Sequence, residues 1–375
     1  MLKAIILGIS ISFIFLFDKK VENIFIILST LLFYKYVIMD KIEIKHIIYS
    51  IIISIIAINI ITVFGCRNYF YKDQSKIKTS KDEKLVLLVY EGESKSYNIR
   101  ERSMQIYFEE KYKGLYNGLY NLNKYKRYYS EQGKSDFKSN CEEIKEEVKK
   151  ELSNEYIVMN AYIYSEPYLE NMISVAIQEG YKEIIICPIL NYREDNYKIL
   201  NERFNNIDLV NRNSTSISIT KPIVSDYEYC IDEYVESILY EAKKYDRDTG
   251  ILITGFENDD IGRNLEIRQK LECELNQHKK KDNIDVEIRS TYIHNNSIKN
   301  ALKSTDTLIE RGVEKIYLIA PTVLIDTIDM KYDIERIENI LKEDYIELDH
   351  YNLPSKNEMI AKDALNSIQN IKISK

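Results

Sequence analysis

Apolar residues are spaced in two different ways along this chain. Three almost unbroken apolar runs open it, at residues 2–17, 21–39 and 47–65. The third carries no charge and is long enough to cross a bilayer as a helix. The first two are shorter or interrupted, by Lys3, Glu22 and Lys35, long side chains that reach an interface from helix ends. More apolar sequence follows the first run where a cleavage site would stand, so a removable signal peptide is not expected. The pattern predicts a transmembrane region over 1–66, of about three helices, and a polar linker over 67–84.

From residue 85 short apolar stretches alternate with amphipathic ones. Strands are expected at 85–90, 156–163, 183–189, 216–220, 250–254, 286–292 and 315–320. Helices are expected at 99–113, in the second half of 114–129, and at 139–152, 168–179, 229–244, 261–277 and 297–311. The runs IIICP and IYLIAP lack the alternation of a half-solvated strand and read as strands of a parallel sheet, buried on both faces. Each follows a glycine and ends at a proline, in EGYKEIIICP and ERGVEKIYLIAP, at the same place in the element order. The expected fold is therefore α/β, with two Rossmann-like halves over 85–225 and 226–375, each a parallel sheet flanked by helices. Ligands of such sheets bind at the C-terminal ends of the strands.

One stretch past such a strand end carries candidate chemistry. In ERGVEKIYLIAPTVLIDTIDMKYDIE, Asp329 and Asp333 fall four apart at the start of an expected helix, which puts both carboxylates on one face. They could face a ligand there, or simply favour the positive end of the helix dipole. The tyrosine-rich stretch GLYNGLYNLNKYKRYY could line a flat hydrophobic ligand or pack into a core. A formal charge of −7 with no basic stripe argues against a nucleic-acid partner. Cys66, Cys141, Cys187, Cys230 and Cys273 are scattered, odd in number and without a C-x-x-C pair, so neither a disulfide framework nor a zinc cage is expected. With three spans, Lys19, Lys20, Arg67, Lys72, Lys76 and Lys78 share one side against Lys3, Lys41 and Lys45, which places the polar part in the cytoplasm.

Over roughly 83–370 the chain resembles the ferrochelatases, which insert ferrous iron into a porphyrin. YYSEQGKSDFKSNCEEIKEEVKKEL is similar to that family's tyrosine–glycine–serine segment, and AYIYSEPYLENMISVAIQEGYKEIIICPIL to its E-P-F-I-E-D-A helix and following strand. RGVEKIYLIAPTVLIDTIDMKYDIE resembles the block that carries its catalytic glutamate. The resemblance puts Asp329 on that glutamate, and Asp333 and Glu335 on the acidic row beyond it. It implies Asp329 and Asp333 as catalytic residues and Phe256, Tyr292 and Gly92 as substrate-binding ones. Glu91, Asp329 and His294 are implied as metal-binding. No cofactor is required; a divalent metal, Fe²⁺, is a substrate, and the partners are a porphyrin-type tetrapyrrole and a lipid membrane.

The chain also departs from the family. ILITGFENDD places Phe256 where the family has its catalytic histidine, Glu91 replaces a tyrosine, and Thr327 stands at a second histidine. Metal insertion needs a bent macrocycle, a base for two pyrrole protons, and a metal brought to one face. A phenylalanine supplies neither base nor ligand. Asp329, Asp333 and Glu91 could instead hold a hard divalent ion together and accept protons. The acidic row favours a carboxylate-based enzyme. The lost histidine favours a carrier or sensor of tetrapyrrole or metal, or a relic whose cleft is filled by Phe256 and Tyr292.

Overall fold

The structure is a computed structural model that describes residues 2–17, 19–64, 83–110, 113–190, 194–205, 215–221, 223, 228–245, 248–256, 263–293 and 297–373. The expected linker over 67–84 lies almost wholly outside the described residues. Two compact units divide the chain.

The first unit gathers the N-terminal apolar helices with Glu93–Ser135. That stretch directly follows the first strand of the half expected over 85–225. Helix α1 is Leu2–Ile14, α2 is Lys19–Phe33 continued by a π-helical turn Tyr34–Met39, and α3 is Ile44–Phe64. Among the described residues, by length and composition, two helical stretches could cross a membrane, Val21–Met39 and Ile44–Ile61. The expectation of three full spans is corrected here. Helix α1 has 13 residues, and at about 1.5 Å per residue it falls short of a hydrocarbon core about 30 Å thick.

Small residues let these helices approach closely. A Cβ on Gly8 would lie 2.7 Å from the backbone carbon of Ser50, so α1 and α3 touch along their main chains there. Ser12 and Ser54 stand one turn further along each helix, and Ser10 and Ser29 share a 2.8 Å hydrogen bond between α1 and α2. Ile24, Ile27, Leu31, Ile48, Ile52 and Ile61 are exposed, an apolar outer surface of the kind that marks a face for a protein or membrane partner.

Helices α4 (Ile99–Glu110) and α5 (Gly114–Gln132) complete this unit. Ile106 of α4 and Leu119 and Leu122 of α5 bury against Leu16 and Ile58. A buried polar knot locks the pair of helices. Arg102 donates to Glu93 at 3.0 Å and to the Tyr129 hydroxyl at 2.8 Å, with its guanidinium 4.2 Å from the Tyr125 ring centre. Ser135 donates to the other oxygen of Glu93, and Tyr129 donates to the Ser94 carbonyl at 2.7 Å. Burial raises the Tyr129 hydroxyl pKa against the opposing pull of Arg102, which keeps it a neutral donor. The tyrosine-rich stretch is thus helical from its first residue, with Tyr128 and Tyr129 in the core.

The second unit holds both sheets. β1 (Lys84–Tyr90), β2 (Tyr156–Tyr162), β3 (Glu183–Pro188) and β4 (Ser216–Ile219) form one parallel sheet in the order β2-β1-β3-β4. β5 (Thr249–Phe256), β6 (Val286–Ile293), β7 (Lys315–Ile319) and β8 (Glu347–His350) form another in the order β6-β5-β7-β8. The two halves share one wiring. The paired glycines of the sequence repeat do the same work in each, since Gly180 has φ +85° and Gly312 φ +89°, left-handed turns that end a helix and feed β3 or β7.

Eight helices flank the sheets: α6 (Phe137–Glu151), α7 (Leu169–Glu179), α8 (Glu194–Asn205), α9 (Glu228–Lys243), α10 (Arg263–Asp282), α11 (Lys299–Ile309), α12 (Ile328–Glu343) and α13 (Lys356–Ile373). The sequence pattern did not predict α8, β8 or α13. Helix α8 is held by Arg203, whose Nε and Nη2 both donate to Glu170 of α7 at 2.5 Å in a buried two-pronged pair. Helix α13 crosses back to the first half, where Ile360, Ala364 and Ile368 join Ile144 and Val148 of α6 in one core. Strands β4 and β8 are only four residues each, short and polar at the sheet edges.

Candidate functional site

In each sheet the chain leaves the first strand toward one side and the third strand toward the other. That reversal opens a crevice between the C-terminal ends of β1 and β3, and another between those of β5 and β7. Glu91 and Gly92 follow β1 directly. Glu91 is buried, and Gly92 has φ +92°, a turn that a side chain at that position would strain. Ile189 follows β3, and its N–H donates to the Val89 carbonyl at 2.7 Å, so the sheet continues to the edge of this crevice.

At the second crevice stand Phe256, the last residue of β5, and the loop after β7. Phe256 is half-buried and packs against the core cluster to which Leu252, Ile293, Leu318 and Met330 belong. The loop leads through Thr327, the extended N-cap residue of α12, to Asp329 in the first turn. Asp329 is partly exposed, whereas Asp333, one turn on, is only 2% exposed and pairs with Arg336 at 3.4 Å. The two carboxylates expected to act together therefore differ: one meets solvent at the strand ends and the other is held inside by an arginine.

The remaining expected residues are dispersed. Tyr292 lies near the end of β6, at the outer edge of its sheet, where with Arg268, Arg289, Lys303 and Glu272 it lines a polar pocket of about 450 Å³. In the β5–β6 ladder it pairs with Gly255, the residue before Phe256. His294 lies outside the described residues. Among the described residues no group of three or more His, Cys, Asp or Glu side chains is placed to hold a metal ion, so Glu91, Asp329 and Asp333 are not gathered into one ligand set.

The structure brings together a polar cluster that the sequence did not reveal. Asp326, in the loop after β7, accepts from the Asn352 amide at 3.0 Å and stands 3.5 Å from the Lys356 ammonium and 3.8 Å from Nδ1 of His350. Asp326, Lys356 and His350 are themselves largely buried. Burial alone would raise the Asp326 carboxyl pKa, but Lys356 and His350 outweigh it and hold it below the ordinary range. Burial lowers the pKa of His350 against the pull of Asp326, and it lowers that of Lys356 in the same way. His350 is thus a neutral imidazole beside a carboxylate at the end of β8. Its Nε2 is buried and has no hydrogen-bond partner among the described residues. The only signal in the sequence was scarcity, His350 being one of four histidines, at the end of a strand too short to predict.

No protein-family profile matches the chain, and no curated protein matches it in sequence. Among solved structures it is similar to SirB from Bacillus subtilis with Fe³⁺, at 16% identity and a TM-score of 0.47, over 77% of this chain and 95% of that one. It is similar to the sirohydrochlorin chelatase SirB from Bacillus subtilis subspecies spizizenii in complex with cobalt, at 14% identity and a TM-score of 0.45, over 77% and 94% of the two chains. It is also similar to CbiX, described as the terminal enzyme for biosynthesis of siroheme in denitrifying bacteria, at 11% identity and a TM-score of 0.42, over 75% and 97%. Likeness of this degree leaves the chemistry to be argued from this chain's own residues.

Proposed function

We propose that this protein is membrane-anchored through its N-terminal helices and inserts a divalent metal, ferrous iron foremost, into a porphyrin-type tetrapyrrole. The observation that carries the reading is the placement of a carboxylate next to each topological crevice: Glu91 directly after β1 and Asp329 in the first turn after the β7 loop. These are two of the positions that the resemblance to ferrochelatases marks, and they stand at the strand ends where open parallel sheets bind ligands.

Insertion exchanges two pyrrole N–H protons for one M²⁺, so the site must accept protons and attract a cation. Asp329, partly exposed and acceptor-only when ionised, suits both tasks. Glu91 supplies a buried carboxylate at the other crevice. Asp333, buried against Arg336, fixes the first turns of α12 and so positions Asp329. The turn at Gly92 lets the backbone approach a flat ligand closely, and Phe256 offers a ring for it to lie against. Anchoring through Val21–Met39 and Ile44–Ile61 follows from their length and apolar composition. The charge asymmetry of the flanking lysines favours a cytoplasmic site.

Phe256 also favours a second reading, a carrier that holds a tetrapyrrole without metallating it. Anaerobic mixing of the full chain in detergent with free-base porphyrin and Fe²⁺ or Zn²⁺ separates the two. More than one metallated porphyrin per protein supports insertion. Stoichiometric bound free base without metallation supports the carrier. Failure to bind porphyrin at all contradicts both.

A further inference from the structure

Helix α5 is tied across one end of the apolar bundle, and the ties mark a level. The Leu119 N–H donates to the Asn59 side-chain oxygen at 2.7 Å, and the Asn59 amide reaches the Tyr116 carbonyl at 3.4 Å. Asn59 is 3% exposed and lies near the C-terminal end of the apolar stretch Ile44–Ile61. At the other end of α5 the Lys126 ammonium donates to the Ile14 carbonyl at 2.8 Å, capping the end of α1, and pairs with Glu22 in the first turn of α2 at 3.0 Å. The polar contacts therefore fall where α1 and α3 end and α2 begins, on one side of the bundle.

Beside these ties, α5 presents Tyr116 and Tyr120 at 84% and 69% exposure. They stand one turn apart on the stripe that continues through Asn123 to Arg127, with Lys113 just before the helix. Tyrosines at the level where an apolar helix ends, flanked by cations, have the chemistry of the headgroup boundary of a bilayer, where the ring meets the acyl region and the hydroxyl meets water. The exposed Ile56 and Ile60 of α3 flank Asn59, whose amide holds the Tyr116 carbonyl, so the apolar surface of α3 meets this one.

We infer that α5 lies in the interface of the same membrane, with Tyr116 and Tyr120 seated in the headgroup region and Lys113 facing anionic lipid phosphates. The inference rests on the anchoring proposed above and adds a second attachment, made by residues between β1 and α6. The polar face of α5 is satisfied from within, by Asn59, Lys126 and the Arg102 knot, so its outward aromatic face is the one left for a partner. Continuity with the apolar helices makes that partner lipid.

The chain has no tryptophan, so a single one can report each position. Full-length Tyr116→Trp, Ile53→Trp on the exposed face of α3, and Tyr240→Trp on the exposed face of α9 are placed in phosphatidylcholine–phosphatidylglycerol vesicles. Ile53→Trp should be quenched by lipids brominated deep in the acyl chain, and Tyr240→Trp by aqueous acrylamide alone. Tyr116→Trp should be quenched most by lipids brominated near the headgroup, with its acrylamide quenching reduced roughly twofold or more relative to Tyr240→Trp. If Ile53→Trp is quenched by deep bromines while Tyr116→Trp matches Tyr240→Trp, anchoring stands and the interfacial seat is overturned. Protection of Tyr116→Trp from acrylamide without bromine quenching means a protein surface covers it, which also overturns the lipid assignment. If none of the three responds to brominated lipid, anchoring itself fails and takes this inference with it.

Discussion

The first and second halves share a strand order but diverge at the end of their leading strands. After β1 the chain makes a tight turn through Glu91 and Gly92 and runs through two helices before returning to its own sheet at α6. After β5 it ends on Phe256, and α10 begins seven residues later at Arg263. One wiring diagram thus carries two helices between its leading strand and α6 in one half, while the leading strand of the other half ends on an aromatic ring. The buried apolar runs set the wiring; the residues just beyond them set the chemistry. These choices are separable, because a parallel sheet needs only that its strands be apolar on both faces.

The largest effect that should distinguish the halves lies in their buried charges. Glu170 and Arg203 of the first half are almost fully buried, with side-chain exposures of 6% and 0%. Arg203→Leu strands a carboxylate in the core, and the loss should approach about 3–5 kcal/mol, seen as a lowered urea midpoint in detergent. In the second half Lys315 is buried, but its partners Glu347 and Asp349 are 44% and 47% exposed. Lys315→Met leaves two hydrated carboxylates behind, and its cost should not exceed about 1 kcal/mol. Equal losses at the two positions would break the comparison.

The glycine pair tests what the halves share. Gly180→Ala and Gly312→Ala each force a Cβ into a left-handed turn, and each should cost about 1–2 kcal/mol by the same midpoint measurement. A large penalty at only one would mean the repeat is a resemblance of letters and not of structure.

The smallest effect is a pH dependence confined to the second half. His350 has its pKa lowered from the ordinary 6.5 by burial. The unfolded chain then binds a proton on His350 more readily than the folded one, so this contribution is intact above pH 6.5 and lost as the pH falls below it. Asp326, held below its ordinary 3.8, adds stability that persists above that pH and is lost only in stronger acid. His350→Gln should flatten the stability profile between neutrality and the acid limb while leaving the limb below pH 4 to Asp326. An unchanged profile would show that the imidazole titrates freely.

Much of the fold was legible because it rests on runs of apolar residues. VLLVY, EIIIC and KIYLI announce buried parallel strands, and the Gly–strand–Pro repeat announces two halves. What the sequence hid had weak or distant determinants. Helix α8 depends on Arg203 finding Glu170 thirty-three residues away. Strand β8 carries a single buried apolar residue, Leu348. Helix α13 satisfies its apolar face against α6 in the other half, a partner no local pattern names. At the site, Glu91, Gly92 and Phe256 could be placed from strand boundaries alone. The burial of Asp333, the position of Tyr292 on the sheet edge and the Asp326–His350–Lys356 cluster are products of tertiary packing, and i,i+4 spacing could not separate Asp329 from Asp333.

The measurement that bears most directly on the central claim follows one isosteric change, Asp329→Asn, in the full chain, reconstituted in lipid nanodiscs and assayed anaerobically beside the unmodified protein with free-base porphyrin and Fe²⁺ or Zn²⁺. The account predicts that Asp329→Asn lowers the metallation rate by about a hundredfold or more while porphyrin binding, read by fluorescence, is retained. Metallation at the unmodified rate by Asp329→Asn would contradict it, and would remove Asp329 from the chemistry of this protein.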